Sequence, residues 1–139
     1  MGAWGIGILQ DDVADDVLIA FEDALAESLT PVDAVQCVHE DPPWPIHGYC
    51  DEDDAATTYM ALAAIQLQHG ILTPEIRDKA LEAATSHWAI GRFEWDGAPE
   101  ERVTARKELL RRFSDFLERG SCALEDLEQV TYPKEFSLW

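Results

Sequence analysis

Residues 55–68, AATTYMALAAIQLQ, constrain the fold of this chain more than any other stretch. Wound as a helix, they place small or apolar side chains in almost every direction, so no polar face is left to turn toward water. The chain nowhere carries the ~20 consecutive apolar residues of a membrane-spanning helix. The remaining solution is a helix over residues 53–69, enclosed by other helices of the same chain. Asp51, Glu52, Asp53 and Asp54 lie at its mouth, where one of them caps it, and Gly70 closes it.

The flanking sequence supplies the surrounding helices. Ala14, Val17, Leu18, Phe21, Ala24, Leu25 and Leu29 recur at steps of three and four, with Asp15, Asp16, Glu22, Asp23 and Glu27 on the other faces. This spacing predicts an amphipathic helix over residues 12–29, capped by Asp11 or Asp12. Thr30-Pro31 then restarts the chain as N-cap and first helical residue. A short helix carrying Val32, Val35 and Val38 follows; a strand over residues 31–38 is the competing assignment. Thr73-Pro74-Glu75 opens a further helix whose apolar stripe is Ile76, Ala80, Ala83, Ala84 and Trp88. Pro99 begins the longest, through Val103, Leu109, Leu110, Phe113, Phe116 and Leu117 to Gly120, with Glu108 and Arg112 spaced as an i, i+4 ion pair. A last short helix through Leu124 and Leu127 completes the set. The expected fold class is all-α: one compact helical bundle over residues 1–139, with four main helices covering about half the chain plus shorter ones.

Two segments break the pattern. Residues 39–50, HEDPPWPIHGYC, hold three prolines and a glycine and read as a loop. Residues 91–98 read as a second loop or a short hairpin edge, with Phe93 and Trp95 among turn residues. Of the five tryptophans, Trp4 and Trp88 read as core, whereas Trp44 and Trp95 are candidate exposed anchors for a partner. Gly2, Gly5 and Gly7 lack the Gly-Lys-Ser/Thr ending and preceding strand of a phosphate loop. They are expected to let residues 1–10 fold down onto the bundle through Trp4, Ile6, Ile8 and Leu9.

Charge is the most unusual property. The chain carries 28 acidic and 10 basic side chains, a formal −18. Residues 1–76 hold 15 of the carboxylates and no Lys or Arg, a net −15, while the last 63 residues hold 13 acidic and 10 basic groups, a net −3. Phosphate binding draws its affinity from Lys and Arg, so nucleic acid is disfavoured and a basic protein partner is favoured. Candidate partner-binding residues are Asp15, Asp16, Glu22, Asp23, Trp44, Asp51, Glu52, Asp53, Asp54 and Trp95.

Specific chemistry is harder to find. Cys37, Cys50 and Cys122 are odd in number and widely spaced, which argues for free thiols in a reducing cytoplasm and against a thiolate zinc site. His39, His47, His69 and His87 show no helical ligand pair, and the acids at 51–54 lack the spacing of a calcium loop. No catalytic residue, cofactor or metal is expected.

The opening MGAWGIG followed by DDVADDVL resembles the bacterial family catalogued as domain of unknown function 4259. The matching positions are Met1, Gly2, Trp4, Gly5, Gly7, Asp11, Asp12, Ala14 and Asp16; the alanine-rich helix ending in Gly70 is a second similarity. Leu9-Gln10 and the proline-rich loop depart from the family pattern. The resemblance implies an all-helical cytoplasmic bacterial domain and carries over no enzyme activity or catalytic residue. Small acidic bacterial proteins of this kind are often inhibitors of toxins. The leading expectation is therefore an immunity protein that covers a basic surface of a toxin. The alternatives are a non-inhibitory adaptor, or a small-molecule binder or hydrolase using His69 or His87 beside carboxylates.

Overall fold

The computed structural model describes residues 5–27, 29–40, 52–90 and 97–133, and of Glu52 and Asp53 the backbone only. Among the described residues, helices run in the order α1 (Asp12–Ala26), α2 (Pro31–Glu40), α3 (Glu52–His69), α4 (Pro74–Thr85), α5 (Glu100–Arg119) and α6 (Leu124–Thr131), and residues 88–90 are helical as well. Helix accounts for 77% of the described residues, with no strand among them. The connections at 70–73 and 120–123 are single tight turns.

At the centre lies α3, in contact with α1, α2, α4 and α6. From Met60 to Ile65 no residue exceeds 1% exposure, which is the enclosure that a helix without a polar face requires. Its alanines let neighbouring helices approach closely, while Met60, Leu62 and Ile65 fill the space between them. The long α5 packs against α4 and α6 through Leu109, Leu110, Phe113, Phe116 and Leu117, all buried.

Local signals set most helix ends. Asp11 caps α1, its Oδ1 accepting the backbone N–H groups of Val13 at 2.8 Å and Ala14 at 3.4 Å. Thr30 caps α2, accepting the Asp33 N–H at 3.2 Å, so residues 31–38 belong to a helix and the strand assignment is excluded. At the end of α3, Gly70 takes φ +67°, and the N–H groups of Ile71 and Gly70 bond the carbonyls of Gln66 and Leu67. This is the paired closure that a left-handed residue permits. Gly120, at φ +77°, ends α5.

Four expectations are corrected. First, α1 ends at Ala26 and not Leu29, because the Leu29 N–H turns back to the Ala24 carbonyl. Second, α2 runs through His39 and Glu40, which were expected in the loop; residues 41–50 lie outside the described residues. Third, α4 stops at Thr85, so Trp88 falls off its stripe and is 36% exposed, not core. Fourth, Glu108 pairs with Arg111, not Arg112, and Arg112 instead reaches Gln129 of α6 at 2.9 Å.

Residues 5–11 form a strap across the bundle. The N–H groups of Ile8 and Leu9 donate to the carbonyls of Val130 and Thr131 at 2.8 and 3.2 Å, and both side chains are buried. The buried Arg106 of α5 holds the strap from the other side, donating to the Ile6 carbonyl at 2.8 Å and the Ala89 carbonyl at 3.1 Å. Residues 6–9 are therefore tied to the bundle; residues 1–4, Trp4 among them, lie outside the described residues.

Candidate functional site

The helical wheel of α1 separates two faces. Ala14, Val17, Phe21 and Ala24 point into the core, each no more than 6% exposed. Directly opposite stands Ile19, 48% exposed, and around it lie Asp12, Asp15, Asp16, Glu22 and Asp23. Asp16, Glu22 and Asp23 are exposed; Asp15 is half-buried, less open than its off-stripe position suggested.

None of Asp15, Asp16, Glu22 and Asp23 has an ion-pair or side-chain hydrogen-bond partner among the described residues. Three of the described arginines are engaged elsewhere. Arg77 pairs with Asp78 at 3.2 Å, Arg111 with Glu108 and with Asp115 at 3.1 Å, and Arg119 sits over the Phe116 ring at 5.1 Å. The fork from Arg111 holds the Glu108 carboxyl below the usual carboxylate range. Asp15, Asp16, Glu22 and Asp23 are thus left uncompensated among the described residues.

Tyr132, 38% exposed, lies at the edge of this face. Burial raises its phenol above the ordinary value, and the nearby charges of Asp15 and Glu22 raise it further. Those two residues are two helical turns apart on one side of Ile19, so Tyr132 flanks the same surface. Reading the sequence missed both apolar members. Ile19 was open to discovery, since it is the residue opposite Val17 and Phe21 on the wheel. Tyr132 was not, since its place depends on the strap bonding residues more than a hundred positions away.

The second acidic group is only partly visible. Glu52 and Asp53 open α3, as expected for acids at a helix start, and Asp54 is half-buried in its first turn, where its carbonyl accepts the Thr58 hydroxyl at 2.8 Å. Full exposure of Asp54, expected from its position, is not found. Asp51, Trp44 and Trp95 lie outside the described residues. The structure therefore brings Asp15, Asp16, Glu22 and Asp23 onto one surface, and places Asp54 on another helix.

A groove of about 260 Å³ between α3 and α4 is lined by Ala55, Tyr59, Lys79, Glu82, Ser86 and Trp88. His39 Nε2 meets the Tyr59 hydroxyl at 3.4 Å. The arrangement offers little to a hydrolase. Ser86 donates its hydroxyl to the Ala83 carbonyl at 2.6 Å, and the adjacent His87 stacks against Trp88 with ring centroids 4.1 Å apart. His69, at the far end of α3, packs on Phe21 at 5.3 Å. Because α3 and α4 are joined by a tight turn and run antiparallel, His69 and His87 sit at opposite ends of the pair.

Cys37 and Cys122 are free thiols, and Cys50 lies outside the described residues. Burial and the nearby Asp126 push the Cys122 thiol up, against a smaller opposing effect of Arg119, which disfavours its nucleophilic thiolate. Among the described residues no group of His, Cys, Asp and Glu is placed to hold a metal ion. None of the described helices is long and apolar enough to cross a membrane.

Comparisons with protein-family models, with curated proteins and with solved structures find no match to this chain.

Proposed function

We propose that this chain is a cytoplasmic protein-binding protein, an inhibitor of the immunity type that neutralises a toxin by covering a basic surface. The observation that carries this reading is the segregation of charge: −15 over residues 1–76 without one Lys or Arg, with Asp15, Asp16, Glu22 and Asp23 of α1 left without an ion pair among the described residues. A field of this kind speeds encounter with a cationic partner, from a neutral ~10⁵–10⁶ toward about 10⁸ M⁻¹s⁻¹ at low salt, and repels phosphate-bearing competitors. The resemblance of the opening MGAWGIG and DDVADDVL to domain of unknown function 4259 supports a bacterial setting and brings no catalytic residue with it. The groove between α3 and α4 favours an enzyme less, because Ser86 and the adjacent His87 are turned to other partners.

Capture from native lysate at low salt, followed by titration of the purified partner, tests this reading. One dominant basic protein should bind with one-to-one stoichiometry and lose its own activity in the complex. Recovery of a basic partner whose activity persists would leave an adaptor, and recovery of acidic or neutral partners only would contradict the proposal.

A further inference from the structure

We propose that the outward face of α1, centred on Ile19 and edged by Tyr132, docks a Lys- and Arg-rich segment of a partner protein that carries an aliphatic side chain among its cations. The inference rests on the partner-binding reading above and assigns it a surface and a complementary chemistry.

Ile19 stands at the pole of α1 farthest from the core, 48% exposed, on a helix whose other outward residues are mostly acids. A lone exposed isoleucine is ordinary on a protein surface. Here Tyr132, itself 38% exposed, sits beside the same face, near enough for Asp15 and Glu22 to act on its hydroxyl. The two apolar groups are also held in fixed relation. Ile8 and Leu9 bond the carbonyls of Val130 and Thr131, the residues immediately before Tyr132, and the same strap runs directly into Asp11, the N-cap of α1. A surface ordered before binding loses little freedom when a partner arrives.

The placement of the acids argues against solubility as their whole purpose. Carboxylates in the first turn, such as Asp12 and Asp15, favour the helix, but Glu22 and Asp23 lie toward the negative end of the dipole, Glu27 caps it, and no basic residue occupies the last turn. Asp12 with Asp16, and Asp23 with Glu27, are like charges one turn apart. Solubility would be served by carboxylates anywhere on the surface. Glu22, Asp23 and Glu27 stand where they oppose their own helix, a local conflict of the sort that accompanies binding sites. Charge complementarity then names the occupant: a nucleic acid or an anionic membrane is repelled, and a cationic protein segment with an aliphatic group to set against Ile19 is attracted.

The test titrates the isotope-labelled full chain, at low salt, with two synthetic peptides of equal length and charge, one of Lys and Ser and one of Lys and Leu. The Lys/Leu peptide should shift the amides of Asp12 to Glu27 and of Tyr132. The Ile19→Ser change should weaken that peptide on the order of tenfold, as expected for loss of one buried aliphatic contact, and leave the Lys/Ser peptide within about twofold. Because Ile19 is exposed, the variant keeps its fold, and its unperturbed core amides verify this in the same spectra. Binding of both peptides with equal affinity in the parent and in Ile19→Ser overturns this inference and leaves the wider reading standing. So do shifts centred on Tyr59 and Trp88. No shift with either peptide overturns both.

Discussion

At Gly7 the strap passes so close to the end of α6 that a Cβ would overlap the Thr131 carbonyl oxygen and the Pro133 ring. Its value is this close approach, since Gly7 is not among the glycines of positive φ. At Gly5 the nearest atoms to an added Cβ all belong to the Gln10 side chain, so relief there costs the bond from the Gly7 N–H to Gln10 Oε1 but displaces no backbone carbonyl. Gly7→Ala should therefore destabilise the protein by about 1–3 kcal/mol, as overpacking against backbone does, and Gly5→Ala by clearly less. Urea unfolding of the two variants measures the difference. Equal losses would contradict the docking of the strap on α6. Tyr132 gives a second, independent residue-scale prediction. Its phenol is raised first by burial and then by Asp15 and Glu22, so the folded state keeps the proton to higher pH than the unfolded chain. The resulting stabilisation is complete below the unfolded value of about 10 and is lost as pH rises through the folded value. Asp15→Asn combined with Glu22→Gln should lower the Tyr132 midpoint part of the way, because the burial contribution stays. Phenolate absorbance against pH, with the Tyr132→Phe signal subtracted, reads this out; an unchanged midpoint would remove Tyr132 from the acidic face.

Among the elements, what could be read in advance was what neighbouring residues decide between themselves. Thr30-Pro31, Thr73-Pro74, Gly70 and Gly120 mark helix ends because capping and left-handed closure act over four or five residues. The enclosure of α3 followed from its lack of any polar face. Non-local choices were not legible. Glu108 had Arg111 and Arg112 within reach on its own helix, and the choice fell to Arg111 because Arg112 is drawn to Gln129 and Arg111 also meets Asp115. Nothing in the spacing along α5 marks Arg106 for burial, yet it is 6% exposed, because its guanidinium bonds the Ala89 carbonyl and the Ile6 carbonyl of the strap. Thr73, expected as a cap, makes no side-chain cap bond; the buried Gln66 accepts its N–H at 3.1 Å and ties the turn between α3 and α4. The acidic side of the candidate site was legible from periodicity, while its apolar centre was overlooked and its tyrosine edge was set by the strap. For α1 itself, replacing Glu22 and Asp23 with Lys puts cations toward the negative end of the dipole. The double change should stabilise the fold by about 0.3–1 kcal/mol per site at low ionic strength, and less in high salt. A thermal melt showing a lower Tm would mean that these carboxylates support the fold through contacts.

For the whole molecule, the division of charge between the two halves remains to be set against function. The C-terminal part balances its charges internally, with Arg111, Arg112 and Arg119 satisfied within α5 and α6. The N-terminal part leaves Asp15, Asp16, Glu22 and Asp23 open on α1, on a bundle whose core draws on α1 to α6 and whose strap ties Ile8 and Leu9 to Val130 and Thr131. Such a molecule presents a rigid anionic surface on a scaffold that does not depend on it. Exposed surface charges away from caps usually alter stability within ~0.5 kcal/mol, so binding and folding are separable by mutation. The most direct measurement is the association rate with the captured basic partner across a range of salt, for the parent and for the variant with Asp15, Asp16, Glu22 and Asp23 all reversed to Lys. The parent rate should fall steeply as salt rises, and the variant should associate slowly at low salt with a flattened or inverted dependence while its Tm stays level or rises. An unchanged rate and salt slope in a folded variant would contradict the account and leave the carboxylates of α1 with solubility alone.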